Sequence, residues 1–93
     1  MDTQNEVSMA ISQIAAEING RTVVVGAKQL RKALAAGKVF RVYLAENADP
    51  AIIEPIMALC QQNQVAYAWV RSMAELGHVC NIQVGAAAAA TLI

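Results

Sequence analysis

Apolar residues in the first part of the chain follow the period of a helix and then the pattern of a strand. The helical set has spacings of four, three and four, and it consists of Val7, Ile11, Ile14 and Ile18. This helix is expected to end at Asn19-Gly20, because glycine accepts the left-handed conformation of a helix terminus. The β-branched run Thr22–Val25 then predicts a short buried strand, which Gly26 breaks.

The middle of the chain repeats this alternation. Residues 27–36 predict a second helix, closed by Gly37, and Val39–Ala45 predicts the second strand. A third helix is expected to begin at Asp49-Pro50, since aspartate is a good N-cap and proline suits the first turn. The residues expected on its buried face are Ile52, Ile53, Ile56, Met57 and Cys60. Pro55 marks either a bend in this helix or the start of its regular part.

The last third of the chain predicts a strand over Val65–Val70 and a short helix that ends at Gly77. Ser72 and Glu75 have the spacing of a capping box at the start of that helix. The run Ala86–Ala90 favours helix by propensity, but the last element of an alternating chain is usually a strand, so a strand is predicted. This order predicts one α/β domain over residues 1–93, with helices on both faces of a mixed four-stranded sheet.

Composition limits the class of protein. The 93 residues carry no net charge, and 57% are hydrophobic without a run long enough to cross a membrane. The polar segment Met1–Ser8 does not resemble a signal peptide, so a cytoplasmic location is expected. Cys60 and Cys80 are interpreted as buried free thiols, because two cysteines and one histidine are too few for a disulfide framework or a structural zinc site.

Charge is unevenly distributed along this neutral chain. Six of its seven basic residues lie between positions 21 and 41, and no acidic residue lies there. They are Arg21, Lys28, Arg31, Lys32, Lys38 and Arg41. The segment therefore has a charge of +6, which favours an anionic partner such as RNA, whereas the neutral total argues mildly against one.

The junction at Gly26 combines several features that suit a nucleic acid. Glycine allows close approach of a ligand, and the start of the following helix offers free N–H groups to anions. Lys28, Arg31 and Lys32 add cations on one helix face, and the amide of Gln29 can hydrogen-bond to a base edge. Taken alone, this pattern is equally well explained as a solvated surface that keeps the protein soluble.

Several blocks of sequence, in one order, resemble the kink-turn RNA-binding family of ribosomal proteins of the L7Ae and L30e type. The blocks are Val25-Gly26-Ala27-Lys28-Gln29-Leu30-Arg31-Lys32-Ala33-Leu34, Val42-Tyr43-Leu44-Ala45-Glu46-Asn47-Ala48-Asp49-Pro50, Leu59-Cys60, Val70-Arg71-Ser72-Met73 with Leu76-Gly77, and Ile82-Gln83-Val84-Gly85-Ala86-Ala87-Ala88. The likeness covers roughly residues 8 to 93 and is strongest to small bacterial members. It implies a three-layer α-β-α sandwich.

The resemblance also implies a ligand and a binding surface. The ligand would be a kink-turn, an RNA duplex bent at a bulge and carrying tandem sheared G·A pairs. Gly26, Lys28, Gln29 and Lys32 would meet those pairs, Glu46 would lie near the same groove, and Val70–Met73 would pack against a flipped-out nucleotide. The full set of expected RNA-binding residues is Gly26, Ala27, Lys28, Gln29, Arg31, Lys32, Glu46, Val70, Arg71, Ser72 and Met73.

Two other classes of function compete with this interpretation. A protein-interaction module on the same fold is the alternative, because some relatives of the growth-arrest type act through protein contacts. An enzyme ranks last, since Cys80 and His78 lack an orienting third group and Asp49 is better explained as a helix cap than as a metal ligand. The sequence therefore predicts a protein without cofactor or metal, acting as a monomer on ribosomal or riboswitch RNA, with no DNA or membrane partner.

Overall fold

The computed structural model describes residues 5–93. Met1–Gln4, the first half of the polar segment Met1–Ser8, lie outside the described residues. Helices and strands alternate along the chain, as predicted. The helices are α1 (Ile11–Gly20), α2 (Ala27–Ala35), α3 (Pro50–Asn63) and α4 (Met73–Val79). The strands are β1 (Val23–Val25), β2 (Val39–Ala45), β3 (Ala66–Val70) and β4 (Ala88–Leu92).

The four strands form one mixed sheet in the order β1-β4-β2-β3. β2 and β3 pair in parallel, and β4 lies antiparallel between β1 and β2, so β1, β2 and β3 all run in the same direction. The strand predicted for the alanine-rich tail is confirmed. Ala88, Ala89 and Ala90 are fully buried in the middle of the sheet, where their small side chains allow helices to pack closely on it.

Two pairs of helices cover the sheet, which confirms the three-layer α-β-α sandwich. α2 packs against α3, and α1 packs against α4. Each helix contributes apolar side chains to one buried cluster, among them Ile14, Leu30, Ile56 and Leu76. Burial of such side chains supplies most of the stability of a domain of this size.

The start of the chain differs from the helical interpretation. Val7 precedes α1, and its N–H donates to the carbonyl of Tyr67 at 2.8 Å, so this segment extends along the edge of β3. Ile11 begins α1 but remains 40% exposed. α1 ends at Gly20 as predicted, but Gly20 does not adopt the expected left-handed conformation. The chain instead leaves the helix through Arg21, which is extended.

Two predicted burials are also wrong. β1 is only half-buried, because it forms an edge of the sheet, and it begins at Val23 rather than Thr22. Ile52 is 39% exposed on α3, whereas Ile53, Ile56 and Cys60 of the same helix are buried. The Asp49 cap is confirmed by a 2.9 Å hydrogen bond that its carboxylate accepts from the N–H of Ala51. α3 is already regular at Pro50 and continues through Pro55.

The last helix departs from its predicted end. Ser72 caps α4 by accepting a 3.1 Å hydrogen bond from the N–H of Glu75, which is half of the predicted capping box. The Glu75 carboxylate instead faces Arg71, at 3.7 Å. Gly77 is buried inside α4 and does not end it, since the helix continues to Val79. Glycine suits this position because a side chain there would overlap the carbonyl oxygen of Val84.

The two cysteines and the histidine have the environments that the sequence predicts. Cys60 and Cys80 are free and buried, and His78 is exposed. Across residues 5–93, no helix combines the length and the apolar character needed to cross a membrane.

Candidate functional site

The sheet topology brings the predicted site residues together at one edge. Because β1, β2 and β3 are parallel, their carboxyl ends meet there, and the chain leaves them at Gly26, Glu46 and Arg71. We call the surface formed by Gly26–Lys32, Glu46–Asn47 and Arg71–Met73 the carboxyl edge. Ligands of open α/β sheets bind at such an edge, because the loops and helix starts that follow the strands converge on it.

β4 holds the three parts of the carboxyl edge in place, because it begins where the other strands end. The N–H of Gly26 donates to Ala88 at 3.1 Å, and the N–H of Ala45 donates to Ala87 at 3.0 Å. Just before β4, the N–H of Ala86 donates to the carbonyl of Met73 at 3.0 Å. Backbone hydrogen bonds to β4 and to the residue before it therefore fix the chain at the carboxyl ends of β1, β2 and β3.

Gly26 gives α2 its open start. Its φ of 105° and ψ of 143° lie in a region that residues with a side chain rarely adopt. Its carbonyl accepts the 3.0 Å hydrogen bond from Leu30 that begins the helix. Neither Gly26 nor Ala27 offers a capping side chain, so the N–H groups of the first turn remain available to an anionic ligand.

The polar side chains of α2 are open to solvent. Lys28, Gln29, Arg31 and Lys32 are all exposed. The ion pairs within the described part of the chain join Arg41 to Glu17 and Arg71 to Glu75, so none involves a cation of α2. Lys28 in the first turn of α2, and Arg31 and Lys32 about one turn further along, therefore present positive charge to solvent, as an anion-binding surface requires.

The other basic residues of the +6 segment do not share this surface, although they are close to it in sequence. Arg41 donates to both carboxylate oxygens of Glu17, at 2.8 and 3.0 Å, which neutralises its charge. Arg21 stacks on the ring of Phe40 at 3.6 Å, near the far end of the sheet. Lys38 follows the C-terminal end of α2. The fold thus places three cations, Lys28, Arg31 and Lys32, on the exposed side of α2.

The segment after β3 contributes less side-chain surface than the sequence suggested. Val70 is only 2% exposed, and its carbonyl accepts a 2.8 Å hydrogen bond from the N–H of Glu46. The Val70 side chain therefore offers little surface to a ligand. The Arg71 side chain is 83% exposed, Met73 is half-buried, and the Ser72 hydroxyl is engaged in capping α4.

Sequence reasoning assigned no role to Asn47, which connects two parts of the carboxyl edge. Its side-chain oxygen accepts a 2.8 Å hydrogen bond from the N–H of Met73. Glu46 next to it is exposed at the same edge. An asparagine in the turn after a strand is a recognised signal for hydrogen bonding to backbone groups, but its partner 26 positions away is set by the tertiary fold.

Comparison with known proteins agrees with this architecture. An RNA-binding protein of Geobacillus sp. strain WCH70 is 48% identical over 73 residues, which cover 78% of this chain and 88% of the relative. The RNA-binding protein YbxF of Geobacillus stearothermophilus is 46% identical over 70 residues, which cover 75% of this chain and 85% of that protein. The solved Giardia lamblia 15.5kD RNA binding protein aligns with a TM-score of 0.81 at 23% identity, over 100% of this chain and 84% of its own.

The likeness to the Giardia structure shows that the two proteins share a fold, and the bacterial relatives add sequence identity over most of their length. A family match extends over residues 10–93 and includes every part of the carboxyl edge. The chain belongs to the ribosomal protein L7Ae/L30e/S12e/Gadd45 family.

Proposed function

We propose that this protein binds structured RNA of the kink-turn class through its carboxyl edge. The observation that carries the proposal is the start of α2, where an uncapped first turn stands beside three exposed cations without acidic partners among residues 5–93. Such a surface suits phosphates and base edges at the same time. Relatives of similar length are named RNA-binding proteins, which supports the same class of ligand.

The geometry of the ligand explains why a bent RNA is the best fit. A regular RNA duplex hides its base edges in a deep, narrow major groove, which a helix start cannot enter. A kink opens that groove, so that Gly26, Lys28, Gln29 and Lys32 reach the tandem G·A pairs. Binding then favours the bent form of the RNA over an extended one.

The remaining residues of the carboxyl edge have supporting roles in this proposal. Arg31 and Arg71 neutralise phosphates, and the Glu46 carboxylate accepts hydrogen bonds from base amino groups. The half-buried side chain of Met73 contacts the bulged nucleotide. Ala27 and Ser72 act through the backbone, because they form the first turns of α2 and the cap of α4.

The same proposal covers the setting in which the protein acts. One carboxyl edge per chain suits a monomer that binds one kink-turn at a time, in ribosomal or riboswitch RNA of the cytoplasm. The protein-interaction alternative does not account for three exposed cations that have no acidic partner in the described part of the chain and lie on the helix with the uncapped start.

The test compares two RNAs that differ only at the G·A pairs. The protein is titrated with a kink-turn RNA and with a version in which both G·A pairs are Watson–Crick pairs, at one fixed salt concentration. We expect the kink-turn to bind at least about 30-fold more tightly, because two lost base contacts cost about 1–3 kcal/mol each. Equal affinities would contradict the proposal, and self-association without RNA binding would favour the protein-interaction module.

A further inference from the structure

The two edge strands of the sheet differ in length and in exposure to pairing. β1 forms one edge and is only three residues long. β3 forms the other edge, and together with the residue before it gives the run Val65–Val70, which contains no charged residue, glycine or proline. An uncharged edge of this length with high β-propensity pairs readily with another strand, so natural proteins shorten, charge or cover such edges.

Alternate residues of β3 direct their backbone groups away from the sheet. Val70 bonds toward β2, because its carbonyl accepts a 2.8 Å hydrogen bond from the N–H of Glu46 just after that strand. Tyr67 and Trp69 have the opposite parity, so their N–H and carbonyl groups face the outer side of the edge. The carbonyl of Val65 faces the same side, where it accepts a hydrogen bond from outside the sheet.

A short piece of the same chain, Asn5–Val7, covers the first part of this edge, and we call it the edge segment. The N–H of Val7 donates to the carbonyl of Tyr67 at 2.8 Å, and the N–H of Tyr67 donates to the carbonyl of Asn5 at 2.9 Å. The Asn5 side chain donates to the carbonyl of Val65 at 3.3 Å. The pairing is parallel and stops there, since none of the described residues before α1 makes a backbone hydrogen bond to Trp69.

The edge segment is attached to the domain in a way that allows it to leave β3. Residues 8–10 connect it to α1 without regular secondary structure, and the family match begins only at residue 10. Its contacts are three hydrogen bonds and the half-buried side chain of Val7, which packs against the core. Opening of the segment therefore breaks few contacts and leaves all four helices and all four strands in place.

We propose that the edge segment keeps the protein monomeric, and that its release makes the outer edge of β3 a docking surface for a second copy of the chain. The outward groups are self-complementary about Tyr67, with a carbonyl at Val65 on one side and an N–H at Trp69 on the other. In an antiparallel pair about a two-fold axis, Tyr67 exchanges both backbone hydrogen bonds with its counterpart, and the N–H of Trp69 reaches the carbonyl of Val65. The closed segment already satisfies Tyr67 and Val65, so the intact protein favours the monomer. This inference goes beyond the proposed function and does not depend on RNA binding.

The experiment weakens the edge segment in the full-length protein and measures molecular mass against concentration by light scattering, without RNA. Val7→Pro removes the N–H that bonds Tyr67 and places a ring against that carbonyl. Glu6→Pro is the matched control, because Glu6 is exposed and its N–H makes no backbone hydrogen bond within residues 5–93. We expect Val7→Pro to dimerise at least about tenfold more tightly than the natural protein, since both copies open more easily, and Glu6→Pro to remain monomeric.

Asn5→Ala is a milder variant that keeps the test decisive if Val7→Pro fails to fold. It removes only the side-chain hydrogen bond to Val65 and should tighten dimerisation about threefold. Amide hydrogen exchange then locates the interface. Exchange at the N–H of Trp69 should slow as the concentration of either variant rises, because this group donates to Val65 of the second copy only in the dimer.

Three results would overturn the inference. One is that Val7→Pro and Asn5→Ala remain as monomeric as the natural protein at every concentration. Another is that Glu6→Pro dimerises as strongly as Val7→Pro, since the hydrogen bonds of the edge segment would then not be the cause. The third is dimerisation without slower exchange at Trp69, which would place the interface away from β3. None of these results bears on RNA binding, so the two proposals fail separately.

Discussion

The side-chain oxygen of Asn47 accepts a 2.8 Å hydrogen bond from the backbone N–H of Met73, which joins the turn after β2 to the first residue of α4. Ser72 caps the same helix through the N–H of Glu75. Two of the unpaired N–H groups at the start of α4 are therefore satisfied by side chains. Because the loops after β2 and β3 are linked in this way, Glu46 and Arg71 belong to one unit of the carboxyl edge.

Asn47→Ala should lower both stability and RNA affinity. Loss of the hydrogen bond to Met73 is expected to reduce the free energy of unfolding by about 1 kcal/mol. RNA affinity should fall as well, because the loop that carries Arg71 is no longer fixed. Asn63→Ala is the matched control, since it removes one 2.9 Å side-chain hydrogen bond at the end of α3. Urea denaturation and RNA titration would measure the two effects, and equal RNA affinity of both variants would contradict the prediction.

Cations on α2 should determine how RNA binding depends on salt. Lys32→Ala is expected to weaken binding and to lower the slope of log affinity against log salt by about one unit, because one fewer counterion is released. Lys28→Ala should behave in the same way. Lys38→Ala is the control, because this lysine follows the C-terminal end of α2, away from the carboxyl edge. Titrations at several salt concentrations give the slopes, and an identical slope for all three variants would argue against contact by α2.

Local sequence patterns predicted the elements of this fold well. The bounds of β2 agree with Val39–Ala45, and the Asp49 cap forms as predicted. Both features depend on residues close together in sequence, a segment of valines, aromatic and aliphatic residues in one case and an aspartate before a proline in the other. The errors concern long-range packing: β1 is an edge strand, and Ile52 faces solvent.

In the candidate site, too, the residues that local sequence predicted differ from those that depend on long-range packing. Gly26 and the cations of α2 form a local motif, so their place at a helix start could be predicted from sequence. The burial of Val70 and the neutralisation of Arg41 by Glu17 depend on strand order and on helix placement, which local patterns do not encode. Asn47 was missed for the same reason, because its partner Met73 follows the next strand.

The contacts of Glu17 should make stability depend on pH. Burial raises the pKa of this carboxyl, but hydrogen bonds from Arg41 and Tyr43 outweigh burial and hold the pKa below its ordinary value of 4.5. A group with a lowered pKa stabilises the folded state above its unfolded pKa, and this contribution is lost as the pH falls through the folded value. Stability should therefore decrease as the pH falls below about 4.5.

Glu17→Gln tests this origin directly. The variant should be less stable than the natural protein at pH 7 by about 1–2 kcal/mol, and the difference should shrink as the pH falls below the ordinary pKa of the carboxyl, 4.5. Tyr43→Phe removes only the 2.6 Å hydrogen bond from the phenol and its contact with Thr91, so it should have a smaller effect of the same sign. Denaturation at several pH values measures both, and a constant difference across this range would exclude Glu17 as the source.

Buried thiols should be unreactive in the folded protein. Burial raises the pKa of Cys60 to about 12 and also raises the pKa of Cys80, so neither forms much of the reactive thiolate near neutral pH. A thiol reagent such as a disulfide dye is expected to modify both cysteines only after unfolding. A rate of modification that rises with the fraction of protein unfolded by urea would agree with this prediction. Rapid modification of Cys60 in buffer alone would contradict its burial.

Substitution of Gly77, the glycine of α4, should destabilise the protein strongly. A Cβ atom at this position would overlap the carbonyl oxygen of Val84 and lie 3.1 Å from the Cα of Gly85. Both are backbone atoms, so no side-chain rotation relieves the contact, and α4 must separate from the segment that leads into β4. Gly77→Ala is therefore expected to cost about 2–3 kcal/mol, or a decrease of roughly 10 °C or more in Tm.

Gly20→Ala provides the comparison, because Gly20 also lies in a helix but a Cβ atom there would meet nothing within 4 Å. Alanine favours the helix by up to about 1 kcal/mol, so this variant should be unchanged or slightly more stable. The segment displaced by Gly77→Ala leads to Ala86, whose N–H donates a hydrogen bond to the carbonyl of Met73 at the carboxyl edge. RNA affinity should therefore fall in Gly77→Ala and not in Gly20→Ala. Thermal denaturation and RNA titration of both variants would test this, and equal Tm values would show that α4 and residues 84–85 are not in close contact.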